Sequence, residues 1–454
     1  MRPLVGLSDA TITAPGGRTL FDGLSLRLGH DRVALVGRNG VGKSTLLSLL
    51  AEEAQANVHL VPQQIRSSGA SKGELRRRAL DDARRSGADL LLLDEPTEDL
   101  DDDAFAWLRA WLRHWHGGLV VASHDRRLLR DFSDFFIASE SGSRHVHGTL
   151  EDVERELERM HDASEERYAK TLVRLAAFEE HTLHVERRRA RKKRYGRCSE
   201  LDRATSRIRL NQKRGEAQAN HARDARIREA RREAMREASK AARRALDVDL
   251  ALDLPIPTLS ANDAPDVVTL RDVSASTGGR VLFSNVGVAL GRDRLALVGP
   301  NGSGKTTLIE IMMGERAPAS GSATRNRARI GYVAQGGENW MLDEALSTFV
   351  EAKDLVLHKF PLALADRPLR TLSPGERARA ALIALFHRAP PVEVLVLDEP
   401  TFSLDLVAQR ALTKALRAWP GGLVVASHDR EFLETIGIRR WLCLLGDARA
   451  APQL

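Results

Sequence analysis

Two cysteines in 454 residues, Cys198 and Cys443, supply no disulfide framework and point to a reducing compartment. No stretch approaches the ~20 consecutive apolar residues of a membrane span. The opening MRPLVGLSDA also lacks the apolar core of a secretory signal. The expectation is a cytoplasmic protein that does not itself enter a membrane. What the chain has in quantity is charge: 29% of it is Asp, Glu, Lys or Arg, with a formal net charge of +7. Its length accommodates two or three domains of ~100–200 residues.

Ten residues, GGLVVASHDR, occur twice, at 117–126 and at 421–430, and each copy closes a matching series of motifs. The first series opens with GRNGVGKST, whose Gly37, Asn39, Gly40, Gly42, Lys43, Ser44 and Thr45 form a glycine-rich loop entering a helix. The second opens with GPNGSGKTT, with Gly299, Asn301, Gly302, Gly304, Lys305, Thr306 and Thr307 in those places. Each follows an apolar strand, VALV at 33–36 and LALV at 295–298. That context turns a glycine pattern into a phosphate-binding prediction. Glycines let backbone N–H groups converge on phosphate oxygens, the helix N-terminus favours an anion, lysine adds charge, and the Ser44 or Thr306 hydroxyl ligates magnesium.

The runs LLLLDE at 90–95 and VLVLDE at 394–399 read as buried strands ending in two carboxylates, which a buried strand does not need for its own stability. In a nucleotide-hydrolysing reading, Asp94 and Asp398 hold magnesium through water, and Glu95 and Glu399 orient or deprotonate the attacking water. His124 and His428 each follow thirty positions after their aspartate, where they sense the γ-phosphate. Gln63 in LVPQ and Gln335 in YVAQ suit a further magnesium and water contact. Phe21 and Phe283, each 22 positions before its lysine, either stack near adenine or pack in the core. Trp107, Trp111 and Trp115 fall on one helix face and are expected to be core.

Between the glutamine and the carboxylate pair lies LSPGERAR (372–379) in the second half and ASKGELRR (70–77) in the first. Both also read as helix starts with a capping serine and a glutamate three residues on. With these motifs in order, the chain resembles the ABC-F family, soluble twin-cassette ATPases that act on ribosomes. LSPGER, the EPT after each glutamate and SHDR carry the likeness, which covers nearly the whole chain. The resemblance implies an α/β fold of two tandem ABC-type P-loop ATPase domains joined by a long basic α-helical hairpin, with ATP and Mg2+ as cofactors. It implies a monomer whose cassettes dimerise intramolecularly, head to tail. One nucleotide then lies between Lys43 and Ser373 with Gly375, the other between Lys305 and Ser71 with Gly73.

The expected domains are residues 1–150 and 267–454 for the cassettes, 151–246 for the hairpin and 247–266, with three prolines, for an extended connector. From 181 to 246 there are 22 basic and 8 acidic residues, and 187–214 alone carries 13 against 2. Apolar residues from Leu150 to Phe178 recur every three or four positions, predicting an amphipathic helix to about Arg194. Gly196 and Gly215 bracket a turn, and 216–246 returns as a second helix. At the tip, Arg187, Arg188, Arg189, Arg191, Lys192, Lys193, Arg194, Arg197, Arg207, Arg209, Lys213 and Arg214 read as a phosphate-backbone contact. Tyr195 is the sole aromatic there, so base stacking is secondary. In the family, this linker contacts P-site tRNA and rRNA on the 70S ribosome. The implied roles are translation factor or antibiotic-resistance ribosomal protection factor. The competing class is a DNA-binding ATPase of repair or recombination using the hairpin on duplex phosphate.

The chain departs from the family in its first half. Gln63 to Ser71 spans 8 positions where Gln335 to Ser373 spans 38, too few for the usual helical subdomain, and the family's arm is absent as well. Lys72 stands where a glycine is expected beside the signature serine. The expectation is two unequal sites, with Lys305/Ser71 the weaker; the alternative is a shortened, poorly active protein.

Overall fold

The computed structural model describes residues 4–13, 19–65, 72–139, 142–199, 223, 226–227, 229–239, 267–358, 360, 362–402, 404–445 and 450–453. It divides into two compact units, one of residues 1–154 with 250–454 and one of residues 155–249.

The first unit contains two six-stranded sheets of the same order. In the first half, β3 (Arg32–Gly37), β4 (Val58–Val61), β5 (Leu90–Asp94), β6 (Gly118–Ala122), β7 (Asp134–Ser139) and β8 (Gly142–His147) run in the order β4-β5-β6-β3-β7-β8. In the second half, β11 (Arg294–Val298), β13 (Ile330–Val333), β14 (Val394–Asp398), β15 (Gly422–Ala426), β16 (Arg440–Leu444) and β17 (Ala450–Gln453) run β13-β14-β15-β11-β16-β17. All pairings are parallel except that of the last strand in each. LLLLD and VLVLD are buried at every position, because helices cover both faces of a parallel sheet. A smaller antiparallel layer precedes each sheet: β1 (Val5–Thr13) with β2 (Thr19–Leu28), and β10 (Arg280–Leu290) with β9 (Val268–Thr277) and β12 (Ser320–Arg325).

The two halves differ where the sequence is shorter. Part of the deficit falls between the phosphate-loop lysine and the glutamine, where the second half builds β12 and the first runs directly from helix Lys43–Glu53 to β4. The larger part falls after the glutamine. There the second half folds a separate apolar cluster of Leu346, Val350, Leu355, Phe360, Ala365, Leu369 and Leu372 onto Ala380, Ile383 and Ala384 of helix Pro374–Phe386. In register with the signature serines, those three positions are Arg78, Asp81 and Asp82 in the first half. Arg78 and Asp82 are exposed, and Asp81 pairs with Arg84 and Arg85. The inward face keeps its apolar residues, with Leu80 and Ala83 fully buried as Leu382 and Leu385 are. The helix is thus polar at the three positions that carry the extra cluster in the second half and apolar at Leu80 and Ala83. Polar side chains at these positions let that face meet water without a covering cluster.

Two sequence expectations are corrected, and one left between two alternatives falls on the core. Trp107, Trp111 and Trp115 are half-buried, not core. They form a ladder with centroids 5.8 and 6.2 Å apart, and the Arg77 and Arg84 guanidinium groups lie over Trp107. Ala104, Phe105, Leu108 and Leu112 fill the core from that helix, since the arc facing the sheet is one residue removed from the tryptophan stripe. The long helix does not stop near Arg194: Leu150–Ser199 is a single helix of 50 residues that passes through Gly196, about 75 Å at 1.5 Å per residue. A lone glycine weakens a helix by only about 1 kcal/mol and does not break it. Phe21 and Phe283 lie in the apolar cores.

The start of that helix is defined locally. Thr149 N–H and Oγ1 donate to Asp152 Oδ2 at 2.8 and 3.0 Å, and Asp152 N–H returns to Thr149 Oγ1 at 3.4 Å, a reciprocal cap. Leu150 and Val153 are buried at its root. Within the second unit, Glu179 pairs with Arg232 and Arg236 at 3.8 and 3.6 Å, and residues 229–239 are helical. The expected turn and the connector 247–266 lie outside the described residues. Among the described residues no helix is long and apolar enough to cross a membrane.

Rebuilding the apolar face in the first cassette (Arg78→Ala/Asp81→Ile/Asp82→Ala) is expected to change the stability of the folded chain by no more than about 1 kcal/mol while promoting self-association. Light scattering alongside a thermal melt separates the two effects. A variant as monodisperse as the parent would show that this face was never adapted to water.

Candidate functional site

Each phosphate loop is a turn that only glycine can make. Gly40 and Gly42 have φ of 75° and 106°, and Gly302 and Gly304 have 76° and 98°, conformations that side-chain-bearing residues resist. A Cβ on Gly42 would also stand 2.8 Å from Leu20 and 3.2 Å from Phe21, and one on Gly304 3.0 Å from Phe283. The two phenylalanines that bracketed the adenine question therefore serve as the floor beneath the loop. Gly42 and Gly304 cap helices Lys43–Glu53 and Lys305–Met313 without a side chain in the way. Their first N–H groups are left open to an anion.

The lysine side chains fold back over these loops and are buried. Lys43 Nζ donates to the carbonyls of Gly37 at 2.8 Å and Arg38 at 3.1 Å and meets His124 Nε2 at 2.7 Å. Lys305 Nζ does the same with Gly299 at 2.6 Å, Pro300 at 3.3 Å and His428 Nε2 at 3.1 Å. Burial lowers both ammonium pKa values, opposed by the nearby carboxylates. Burial, then the lysine charge, hold His124 well below the usual imidazole range and His428 down to about 4. Both imidazoles are therefore neutral at pH 7, with Nε2 accepting from the lysine.

The carboxylate pairs occupy the ends of β5 and β14. Ser44 hydrogen-bonds Asp94, as does the Gln63 N–H, and Thr306 Oγ1 donates to Asp398 Oδ2 at 2.8 Å. The next residue in each half, Glu95 or Glu399, has φ of 45° or 43°, strained for a non-glycine residue. The strain is held by Glu95 N–H to Ala122 O and Glu399 N–H to Ala426 O, both 2.8 Å. This bend turns the carboxylates out of the strand toward the histidines: His124 Nε2 lies 3.4 Å from Glu95 Oε1, and His428 Nε2 3.5 Å from Glu399 Oε1. Burial raises both glutamates to about 8, with the lysine pulling the other way. Glu399 Oε1 is buried without a hydrogen-bond partner. The open helix ends, the glycine cradles and this orphaned oxygen fit a magnesium nucleotide. Lys43, Ser44, Asp94, Lys305, Thr306 and Asp398 are placed to hold it, and the bound group supplies the phosphoanhydride to be cleaved.

Other expected residues are distributed unevenly. Gln63 is exposed with its amide on Glu98 Oε2 at 3.3 Å, and Gln335 opens a turn through Gly336 and Gly337. Ser373 forms a complete capping box with Glu376 ahead of Pro374, so the helix-start reading holds for this residue. Ser71 lies outside the described residues. Gly73 packs against Asp99 O, where a Cβ would approach to 2.7 Å, and lies near Asn301 of the other cassette, whose Nδ2 donates to Asp99 O at 3.1 Å. The opposite pairing is marked by Asp405, whose charge acts on Lys43. Arg187 and Arg188 are exposed on the long helix. Arg189, Arg191, Lys192, Lys193, Arg194 and Arg197 lie on the same helix with undescribed side chains, and Arg207, Arg209, Lys213 and Arg214 lie outside the described residues.

Sequence reading missed two arginines. Buried Arg76 donates to the carbonyls of Pro62, at 2.8 Å, and Gln63. Buried Arg377 donates to Gly336, Gly337 and Leu372 at 3.0–3.2 Å. Each ties the signature helix to the glutamine turn of its own cassette. Their signal was present, an arginine within four residues of the signature glycine, but it is not in register between the halves.

Raised glutamate pKa values make the nucleotide-free protein lose stability as pH climbs from the unfolded value near 4.5 through about 8, because the folded state holds the proton more tightly. The depressed histidines act oppositely, and only below about 6.5. Between pH 6.5 and 8.5, Glu95→Gln/Glu399→Gln should therefore flatten the fall in melting temperature seen for the parent. Parallel curves would show that the carboxyls titrate normally.

The family model described as ABC transporter matches residues 285–402. The chain is 27% identical to the ribosome protection protein VmlR of Bacillus subtilis, over 89% of this chain and 80% of that protein. It is 30% identical to the probable ATP-binding protein YheS of Escherichia coli K12, over 77% and 51%. It is 28% identical to human ATP-binding cassette sub-family F member 3, over 82% and 50%. The chain thus spans about half the length of the latter two. The fold is similar to that in the crystal structure of archaeal ribosomal stalk protein aP1 with archaeal ribosome recycling factor aABCE1, at TM-score 0.59 and 15% identity, covering 98% of this chain and 89% of that one. RNase-L Inhibitor gives 0.57 and 17%, over 94% and 88%. The chain carries ABC-type ATPase chemistry on a tandem-cassette α/β fold and is a relative, at modest identity, of the ABC-F proteins.

Proposed function

We propose that this protein is an ATP-driven switch that acts on the ribosome, with cassettes at 1–150 and 267–454 closing on two magnesium nucleotides. The observation that carries the switch is reciprocal. Gln409 Nε2 donates to the backbone carbonyl of His124 at 3.3 Å, and Arg127 Nη1 donates to that of His428 at 3.3 Å. Each phosphate-sensing turn is thereby held by the opposite cassette, so loss of a γ-phosphate in one site alters the grip of the other. Glu95 and Glu399 orient the water, Asp94 and Asp398 hold the metal, and Lys43 and Lys305 neutralise developing charge. The ribosomal target rests on the relatives named for ribosome protection and on the basic segment after Arg187. In this reading, the segment meets tRNA or rRNA phosphates, as a translation factor or a protection factor.

The sites are unequal in this proposal. Lys305 faces Asp101 and Asp102 across the cassettes, and the neighbouring Asp99 and Asp103 add charge. In the loop that faces Lys43 from the other cassette, Asp405 is acidic, with Leu406 and Val407 in the places of Asp102 and Asp103. Carboxylates opposite a polyphosphate weaken its binding. Ser373→Ala should lower ATP turnover by about 10²-fold, as loss of one phosphate donor does, and Ser71→Ala should leave it nearly unchanged; equal losses refute the asymmetry.

The partner is tested by co-sedimenting Glu95→Gln/Glu399→Gln with 70S ribosomes, with and without ATP, at moderate salt and with competing duplex DNA. Pelleting that requires ATP and survives the DNA is expected. Capture by DNA, or no pelleting, would overturn the ribosomal assignment.

A further inference from the structure

The short helix Arg126–Leu129 begins two residues after the switch histidine. Arg126 Nη1 lies 2.5 Å from Glu154 Oε1, and Arg410 Nη1 from the second cassette lies 3.9 Å from Glu154 Oε2. Glu154 is on the first turns of the 50-residue helix and is only 7% exposed. Arg410 neighbours Gln409, the residue that holds the His124 carbonyl. A second ring closes around the first: Arg130 Nη2 pairs with Glu431 Oε1 of the second cassette at 2.5 Å, and the charge of Glu151, one turn before Glu154, acts on Arg130.

This arrangement has no counterpart in the duplicated half. Arg430, the repeat partner of Arg126, lies over the Trp441 ring, and Arg130 is replaced there by Glu434. Among the described residues the first histidine turn is ion-paired directly to the root of the helix, and the second reaches it only by way of Arg130.

We propose that Glu154 is a positioning residue that couples the first cassette's phosphate-sensing turn and the second cassette's Leu406–Ala418 helix to the long basic helix. A carboxylate buried between two guanidinium groups on different cassettes has its charge balanced by them only while both stay in place. When Arg126 moves with the His124 turn, or Arg410 with the second cassette, Glu154 loses a partner it cannot replace with water, and the helix root must follow. The coupling rests on the ATP-driven reading above, whereas the ion pairs themselves do not.

The test uses the full chain. Amide hydrogen exchange along 155–180 is compared with and without magnesium ATP, in the Glu95→Gln/Glu399→Gln background so that nucleotide persists, together with ATP binding by filter assay. The parent is expected to show ATP-dependent slowing in this segment. Glu154→Gln should bind ATP within about twofold of the parent yet lose the slowing by about fivefold or more, the lower end of allosteric coupling. Glu154→Arg/Arg126→Glu, which restores the pair with its signs exchanged, should regain part of it. Retention of the full response in Glu154→Gln overturns the coupling and leaves the ATP-driven reading standing. Loss of ATP binding in proportion to loss of the response shows that Glu154 merely supports the cassette and overturns it likewise. A parent with no ATP-dependent response overturns the ATP-driven reading itself.

Discussion

Each cassette buries an ammonium group, and the rest of the site follows from that constraint. Lys43 and Lys305 are held over their loops by two backbone carbonyls apiece, and a buried cation needs more than carbonyl dipoles. The aspartate and glutamate ending each central strand supply the negative charge. Burial, with the adjacent aspartate adding to it, displaces the glutamates upward to about 8 against the pull of the lysine. Burial, then the same positive charge, keeps the histidines neutral, and the lysine contact fixes which ring nitrogen accepts. The strained backbone at Glu95 and Glu399 belongs to this balance, because an extended residue would point its carboxylate back along the sheet.

The charge constraint also explains why the cassettes touch where they do. Asp405 acts on Lys43, and Asp101 and Asp102 act on Lys305, so each buried lysine draws part of its compensation from the other half. Asp101 and Asp405 reach those places as helix caps, accepting from Ala104 and Ala408 at 2.9 Å. One side chain thus starts a helix and presents charge across an interface. The first half adds further carboxylates at this loop and the second adds leucine and valine, so two sheets of the same strand order produce electrostatically different sites.

Much of this was legible in the sequence because the chain states it twice. The carboxylates and histidine recur at one offset and the lysine loop recurs ahead of them at another, and the structure brings lysine, glutamate and histidine of each half together, while the identical sheet orders bear out the α/β tandem fold. What was not legible involves geometry that periodicity does not carry. The tryptophan stripe has perfect helical spacing, yet spacing alone does not say which arc faces the sheet, and Phe105 and Leu108 take it. Gly196 looked like a stop, but helix propensity over 50 residues outweighs one glycine. Arg76 and Arg377 perform the same tie from positions one residue out of register, so comparing the repeats hides them.

The shortened first cassette illustrates how far such comparison goes when burial is added. A deletion that removes a covering subdomain exposes whatever it covered, and an unselected remnant would still present the Ala, Ile and Ala seen at 380, 383 and 384. Arg78, Asp81 and Asp82 stand there instead, while Leu80 and Ala83 between them remain buried. These three polar residues suit that face to water in the short form, and Arg76 and Arg84 also stand where the second half has Ala378 and Phe386 against its sheet-side core. The first cassette's own switch histidine keeps the contacts to lysine and glutamate that the longer copy has, and it alone reaches the root of the long helix through Arg126. The shorter half is therefore the one whose histidine turn is ion-paired to the root of the long helix.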